Sequence, residues 1–293
     1  MIIGVLFFFG WHQLHASLNP SLGRSYGVIL LSLVLVYSAL FISNFIAKKN
    51  SLSKDSAYTV LFYLLILAAY PSIFVHTQLL CAQFFILLAT RRLVSLHTMK
   101  ASKEKLFDAS LWVFVASLFY FWSILFIVLV YIAILFHTAR DYRTWFLPVL
   151  AFVAVAALYV LGAYIWNPGW LAGLEQQARY STSFSFDQSN LADVLLLTYV
   201  GVAFLATFAL MLSLANRPLL LHSSYKKVIS AFVLGLCVYG FAPTKSNELM
   251  VFTATPVAII LTSHIEAMSG KWQKELLLLG LIAASFTAFF LQL

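Results

Sequence analysis

Residues 26–47 run 22 positions without one charged side chain, and apolar stretches of this kind recur to the end of the chain. A helix rises about 1.5 Å per residue, so roughly 20 apolar residues cover the ~30 Å hydrocarbon core of a bilayer. Recurrence of such runs excludes a water-soluble globule. Only 10% of the 293 residues are charged while 62% are hydrophobic, with a mean hydropathy of +0.94; soluble domains carry about a quarter charged residues. The 27 Phe, 14 Tyr and 7 Trp suit side chains that meet lipid tails and membrane interfaces. Cys81 and Cys237 lie in apolar runs and form no C-x-x-C pair, so neither a disulfide framework nor a structural zinc site is indicated. The first residues lack a basic n-region and a small-residue cleavage site, and do not read as a removable signal peptide.

The spans follow from these runs. Residues 26–47 form one, ending at Lys48 and Lys49. Residues 57–90 are far too long for one helix and break near Pro71, because proline removes a backbone donor and disfavours helix in the residue before it. Two spans are expected there, with His76 near their turn. The 106–137 stretch carries no proline or glycine, so it is either one overlong helix or a hairpin turning at Tyr120-Phe121-Trp122. Further spans are expected at 145–166, 191–215, 228–241, 249–264 and 276–293. The chain thus reads as an all-α polytopic transmembrane helical bundle of about eleven spans, or ten if residues 1–11 do not cross. It forms a single integral membrane domain over 1–293, and the 167–190 loop is its only sizeable extramembrane segment.

Charge decides the 106–137 stretch. As a hairpin it puts fifteen of the eighteen Lys and Arg residues on one side, leaving Arg24, Arg179 and Lys245 opposite; as a single span it gives ten against eight. Basic loops gather on the cytoplasmic side of membrane proteins, so the hairpin is preferred. The expected location is a bacterial inner membrane, with basic loops in the cytoplasm and the C-terminus periplasmic. The net charge of +8 then reads as orientation signal and lipid-headgroup contact rather than nucleic-acid binding.

Ionisable residues in or beside a membrane are costly, so the sparse outer set is informative. It comprises His12, His15, Asn19, Arg24, His76, Glu175, Arg179, Asp187, Lys245, Asn247 and Glu248. His12 and His15 share a helical face but find no third ligand nearby, so no metal is expected. In Pro243-Thr244-Lys245-Ser246-Asn247-Glu248, capping by Ser246 or Asn247 accounts for the polar turn, with Glu248 favoured by the next helix's positive end. A functional reading makes Lys245 a phosphate contact and Glu248 a base. In the 167–190 loop an interfacial helix over 171–180 is expected, then an extended alternating run over 181–186. No Gly-rich phosphate loop, H-E-x-x-H, G-x-S-x-G or kinase signature is present, and no cofactor is expected.

Tyr70-Pro71-Ser72, Arg91-Arg92-Leu93, Leu106-Phe107-Asp108-Ala109-Ser110-Leu111-Trp112, Ser117-Leu118-Phe119-Tyr120 and Asn247-Glu248-Leu249 followed by Pro256 span most of the chain. In these stretches it resembles a family of uncharacterised multi-span inner-membrane proteins of Bacteroidota. More distantly, the alternation of short hairpins and longer helices is similar to membrane glycosyltransferases of the GT-C type. That resemblance implies use of polyprenyl-phosphate sugars at the outer face, with a catalytic carboxylate in the first outer loop. Residues 12–25 contain no Asp or Glu, so Glu175, Asp187 or Glu248 would have to supply the base, or the fold serves binding without catalysis.

The leading expectation is a GT-C-like protein of envelope biogenesis handling a polyprenyl-phosphate-linked or other lipid substrate at the outer face. Arg24, Arg179 and Lys245 are its candidate phosphate or headgroup contacts and Glu248 its leading catalytic carboxylate, with His76, Glu175, Asp187 and Asn247 as further polar outer residues. The competing expectation is a non-catalytic integral subunit of a membrane complex serving secretion, motility or envelope assembly. A transporter comes third, since no chain of acidic residues crosses the apolar runs.

Overall fold

In hydrocarbon an unpaired backbone N–H or C=O costs several kcal/mol, so an apolar run satisfies its backbone within its own helix. The computed structural model describes residues 10–11, 26–54, 56–98, 100–166, 169–181 and 191–292, and all regular structure among them is helical. The α-helices are α1 (Tyr26–Lys49), α2 (Tyr58–Ala69), α3 (Thr77–Val94), α4 (Ser102–Phe119), α5 (Ile127–His137) and α6 (Arg143–Trp166). They continue as α7 (Gly169–Gln177), α8 (Leu191–Ser213), α9 (Leu219–Phe241), α10 (Val251–Ala267) and α11 (Lys271–Leu291).

Seven helices among the described residues are long and apolar enough to cross a membrane, which is compatible with a multi-pass membrane protein: α1, α3, α6, α8, α9, α10 and α11. The ten-span reading adds α2, α4 and α5. At 12 and 11 residues, α2 and α5 rise only about 18 and 17 Å. Helix α4 opens on Lys103, Glu104, Lys105 and Asp108, which leaves it too few uncharged residues. These three are the short members of the two hairpins.

The chain clusters into two units. The first holds residues 1–80, 185–217 and 254–293. Within it α2 packs between α1 and α11. Hydroxyl pairs join its helices: Ser43 Oγ and Thr255 Oγ1 at 2.7 Å, Thr262 Oγ1 donating to Thr59 Oγ1 at 3.2 Å, and Ser32 Oγ and Thr77 Oγ1 at 2.8 Å. Each such bond between membrane helices contributes about 0.6 kcal/mol, so they set register more than stability. As expected, the chain breaks at Pro71: Tyr70 leaves helical backbone at φ −131°, and a 3-10 turn, Pro71–Val75, leads to His76.

The second unit holds residues 81–184 and 218–253. Helices α4 and α6 pack around Phe114, Ala151 and Val155. The 106–137 stretch folds back through a 3-10 turn, Phe121–Phe126. Lys103 Nζ, at the start of α4, stands 2.8 Å from the Asp141 carboxylate that follows α5. A continuous helix would hold those residues more than about 50 Å apart. Gly235 lets α9 lie close on the first turn of α10: a Cβ there would stand 2.7 Å from Thr253 Cγ2 and 3.3 Å from the Phe252 carbonyl.

One boundary differs with consequence. The expected 228–241 span begins nine residues earlier, at Leu219, just after Pro218. Pro218 stands at the helix N-cap, where its missing N–H leaves no helical bond unmade. Lys226 and Lys227, expected in a cytoplasmic loop, are therefore helical.

Candidate functional site

Three turns of the second unit come together around the expected outer residues. The Phe121 N–H donates to Gln177 Oε1 at 3.4 Å, and Trp122 Nε1 donates to the Arg179 carbonyl at 3.2 Å. Trp122 also stacks on Phe241, the last residue of α9, at 5.4 Å between centroids. Aromatic stacking and two hydrogen bonds thus pin the segment after α7 against the α4–α5 turn and the end of α9.

Lys245 closes this junction. Its Nζ donates to the Ser181 carbonyl at 2.6 Å, to Tyr239 and Ala242 carbonyls at 3.1 and 3.0 Å, and to the Gly240 carbonyl. The last carbonyls of a helix lack intrahelical partners and carry its negative pole, so an ammonium there caps α9. Three protons shared among four carbonyls leave little for a phosphate. Partial burial pushes the Lys245 ammonium below its ordinary value.

The other expected residues divide between the units. Asn247 and Glu248 open the 3-10 turn Asn247–Met250 and are half-buried. Ser246 occupies the N-cap position but makes no side-chain capping bond, so capping by its hydroxyl is not the reason for the polar turn. Glu175 and Arg179 are exposed, the first on α7 and the second beyond it. In the first unit His76 is exposed between the Pro71–Val75 turn and α3. Arg24, Asp187, His12, His15, Asn19 and most of the 181–186 run lie outside the described residues. Helix α7 matches the helix expected over 171–180.

A cavity of about 160 Å³ lies within the first unit, walled by α2, α8, α10 and α11. Phe62, Tyr70, Tyr199, Val202, Leu281 and Ala288 line it. Three of its lining hydroxyls are turned to backbone: Tyr70 Oη donates to the Leu195 carbonyl at 3.5 Å, Thr198 Oγ1 to Val194 at 2.8 Å and Ser285 Oγ to Leu65 at 2.8 Å. With these three protons spent on carbonyls, the cavity presents mainly hydrocarbon, the Tyr199 hydroxyl being the other polar group on its lining.

Two polar devices escaped the sequence reading. Lys227 is 0% exposed, and its Nζ donates to the Leu93 and Val94 carbonyls at 2.7 and 3.4 Å and to His137 Nε2 at 3.1 Å. The ammonium caps α3 from another helix with all three protons placed. Its signal was the buried 3.6-period face Ser224, Val228, Ala231, Gly235, Val238, which runs through the basic pair. In the first unit Glu266 accepts from Ser53 Oγ at 2.7 Å, from the Lys54 N–H at 2.8 Å and from Ser56 Oγ, tying the α1–α2 loop to the end of α10. No sequence pattern links residues 210 positions apart. Among the described residues no three His, Cys, Asp or Glu side chains gather closely enough to hold a metal.

No curated protein and no solved structure matches the chain. A family model described as a family of unknown function (DUF6427) matches residues 2–293, and the chain belongs to that family.

Proposed function

We propose that this is a GT-C-like multi-pass protein of a bacterial inner membrane that handles a lipid-linked substrate, a polyprenyl phosphate or its sugar conjugate, from the outer face. The observation that carries the reading is the first unit's cavity, whose lining is almost wholly apolar. Its residues cluster at the C-terminal end of α2, the N-terminal half of α8 and the C-terminal half of α11, the ends that the positive-inside rule assigns to the outer leaflet. An apolar chain gains about 25 cal/mol per Å² on entering such a lining, whereas a polar solute loses its water with nothing in return. That asymmetry favours a lipid tail over a transported polar solute.

In this reading Arg24 and Arg179 are the headgroup contacts, with His76, Glu175, Asp187 and Asn247 around them, and Glu248 is the carboxylate to test for chemistry. Lys245 is a positioning residue. Its engagement by four carbonyls also favours the second reading, a non-catalytic subunit of a membrane complex that binds lipid without reacting it.

The test is mild-detergent purification from the native membrane with mass spectrometry of bound lipids. Val202→Trp and Leu281→Trp, which fill the cavity from its partly exposed wall, are expected to lower co-purifying polyprenyl lipid about tenfold. Recovery of no polyprenyl lipid, or full retention by both variants, defeats the reading. Glu248→Gln separates its two versions: loss of cellular activity with lipid retained supports catalysis, and unchanged activity supports the subunit.

A further inference from the structure

Regular spacing builds the cavity of the first unit. On α11 it is lined by Leu281, Ala284, Ser285 and Ala288, at intervals of three, four and seven that fall on one helix face. Helices α2 and α8 present stripes of the same spacing, starting at Phe62 and at Leu195. Three of the four α11 residues are Ala or Ser, so that face projects too little side chain to close the space between the stripes.

The cavity opens sideways. Thr198 and Val202 of α8 and Ala284 of α11 line it and are exposed, Val202 at 41%. Tyr199 and Leu281 beside them are half-buried, whereas Ala203, Ser285 and Ala288 are buried. The mouth therefore lies between α8 and α11, two helices long and apolar enough to cross a membrane, and the cavity ends within the unit.

Size then limits what enters. An apolar cavity of about 150 Å³ takes one benzene, six carbons. At about 160 Å³ this one holds a single five-carbon isoprene unit with its methyl branch, and not two. A straight chain reaching the same depth lacks the branch and leaves part of the wall without partner atoms.

We infer that the cavity selects isoprenoid over straight acyl chains by admitting one methyl-branched unit through the mouth between α8 and α11. The remaining chain stays in the bilayer along those two helices. This selection rests on the reading of the cavity as a tail site.

The experiment is native mass spectrometry of the purified full chain titrated with geranyl phosphate and n-decyl phosphate. Both carry ten carbons on the same headgroup, and simple partition into detergent favours the straight chain, which exposes more apolar area. Geranyl phosphate is expected to bind about fourfold tighter, the effect of one buried methyl, because only one of its two units is admitted. Ala284→Leu, at the rim, fills the space of the branch and should bring geranyl phosphate to the decyl level. Leu276→Trp, exposed on α11 and outside the lining, should change nothing. Melting temperatures confirm that each variant is folded. Equal binding of the two phosphates, a decyl preference, or a geranyl preference that survives Ala284→Leu overturns the selection. Val202→Trp distinguishes the two failures. If it lowers binding of both phosphates while they bind alike, the tail site stands and the selection falls; if it moves neither, the tail site falls as well.

Discussion

The two ends of α9 use one chemistry in two surroundings. Near its start Lys227 is sealed from solvent and caps the carbonyl end of α3; just past its finish Lys245 is only partly covered and caps α9 itself. Each ammonium is held by helix-terminal carbonyls rather than by a carboxylate. Burial sets what such a contact is worth, because water replaces a lost partner at the exposed node and cannot at the sealed one. A basic residue in an apolar chain is therefore not simply a loop marker.

The comparison breaks first at Lys227. Lys227→Ala leaves the Leu93 and Val94 carbonyls and His137 Nε2 without their donor, at a cost of about 3 kcal/mol. A markedly lower melting temperature in detergent is expected, with Lys227→Met milder because it keeps the side-chain volume. Lys245→Ala should cost about 1 kcal/mol, the worth of a cation at an accessible helix terminus. Its sharper signature is local: limited proteolysis within residues 178–181 should accelerate while the global melt barely shifts. Equal losses for the two lysines would refute the claim that burial separates them.

The smallest effect is expected where there is no burial. The hydrogen bond from Lys103 holds the Asp141 carboxyl below its ordinary value, helped by the Arg143 N–H. A depressed carboxyl stabilises the fold above its unfolded pKa, and that contribution fades as pH falls through the folded one, here below about pH 4. Asp141→Asn should lower the melting temperature slightly at pH 7, and the difference from wild type should shrink steadily as pH falls below about 4, measured side by side.

Local signals carried most of the helical layout. Uncharged runs marked the long helices, Pro71 marked the first break, and the charge count turned residues 106–137 into the hairpin that the Lys103–Asp141 contact closes. What escaped was set by distant partners. Lys227 falls outside the span expected from residue 228, and only packing against the end of α3 makes helical burial tolerable there. The cavity arises where four helices distant in sequence leave a gap, and no one of them carries its pattern. Glu248 and Lys245 were legible as a polar turn, but which backbone carbonyls would claim Lys245 was not.

Gly235 lies between those two lysines in sequence, and there α9 meets the Thr253 methyl and the Phe252 carbonyl with no side chain of its own between. Such a contact has little room to yield, since a methyl added at Gly235 would meet a β-branched side chain that is stiff at χ1 and a backbone carbonyl behind it. Helix α9 is a rod about 34 Å long that rests at this point on the first turn of α10, so a wedge placed there is expected to act as a lever on both ammoniums. Gly235→Ala would place that wedge and test whether the two nodes are felt as one.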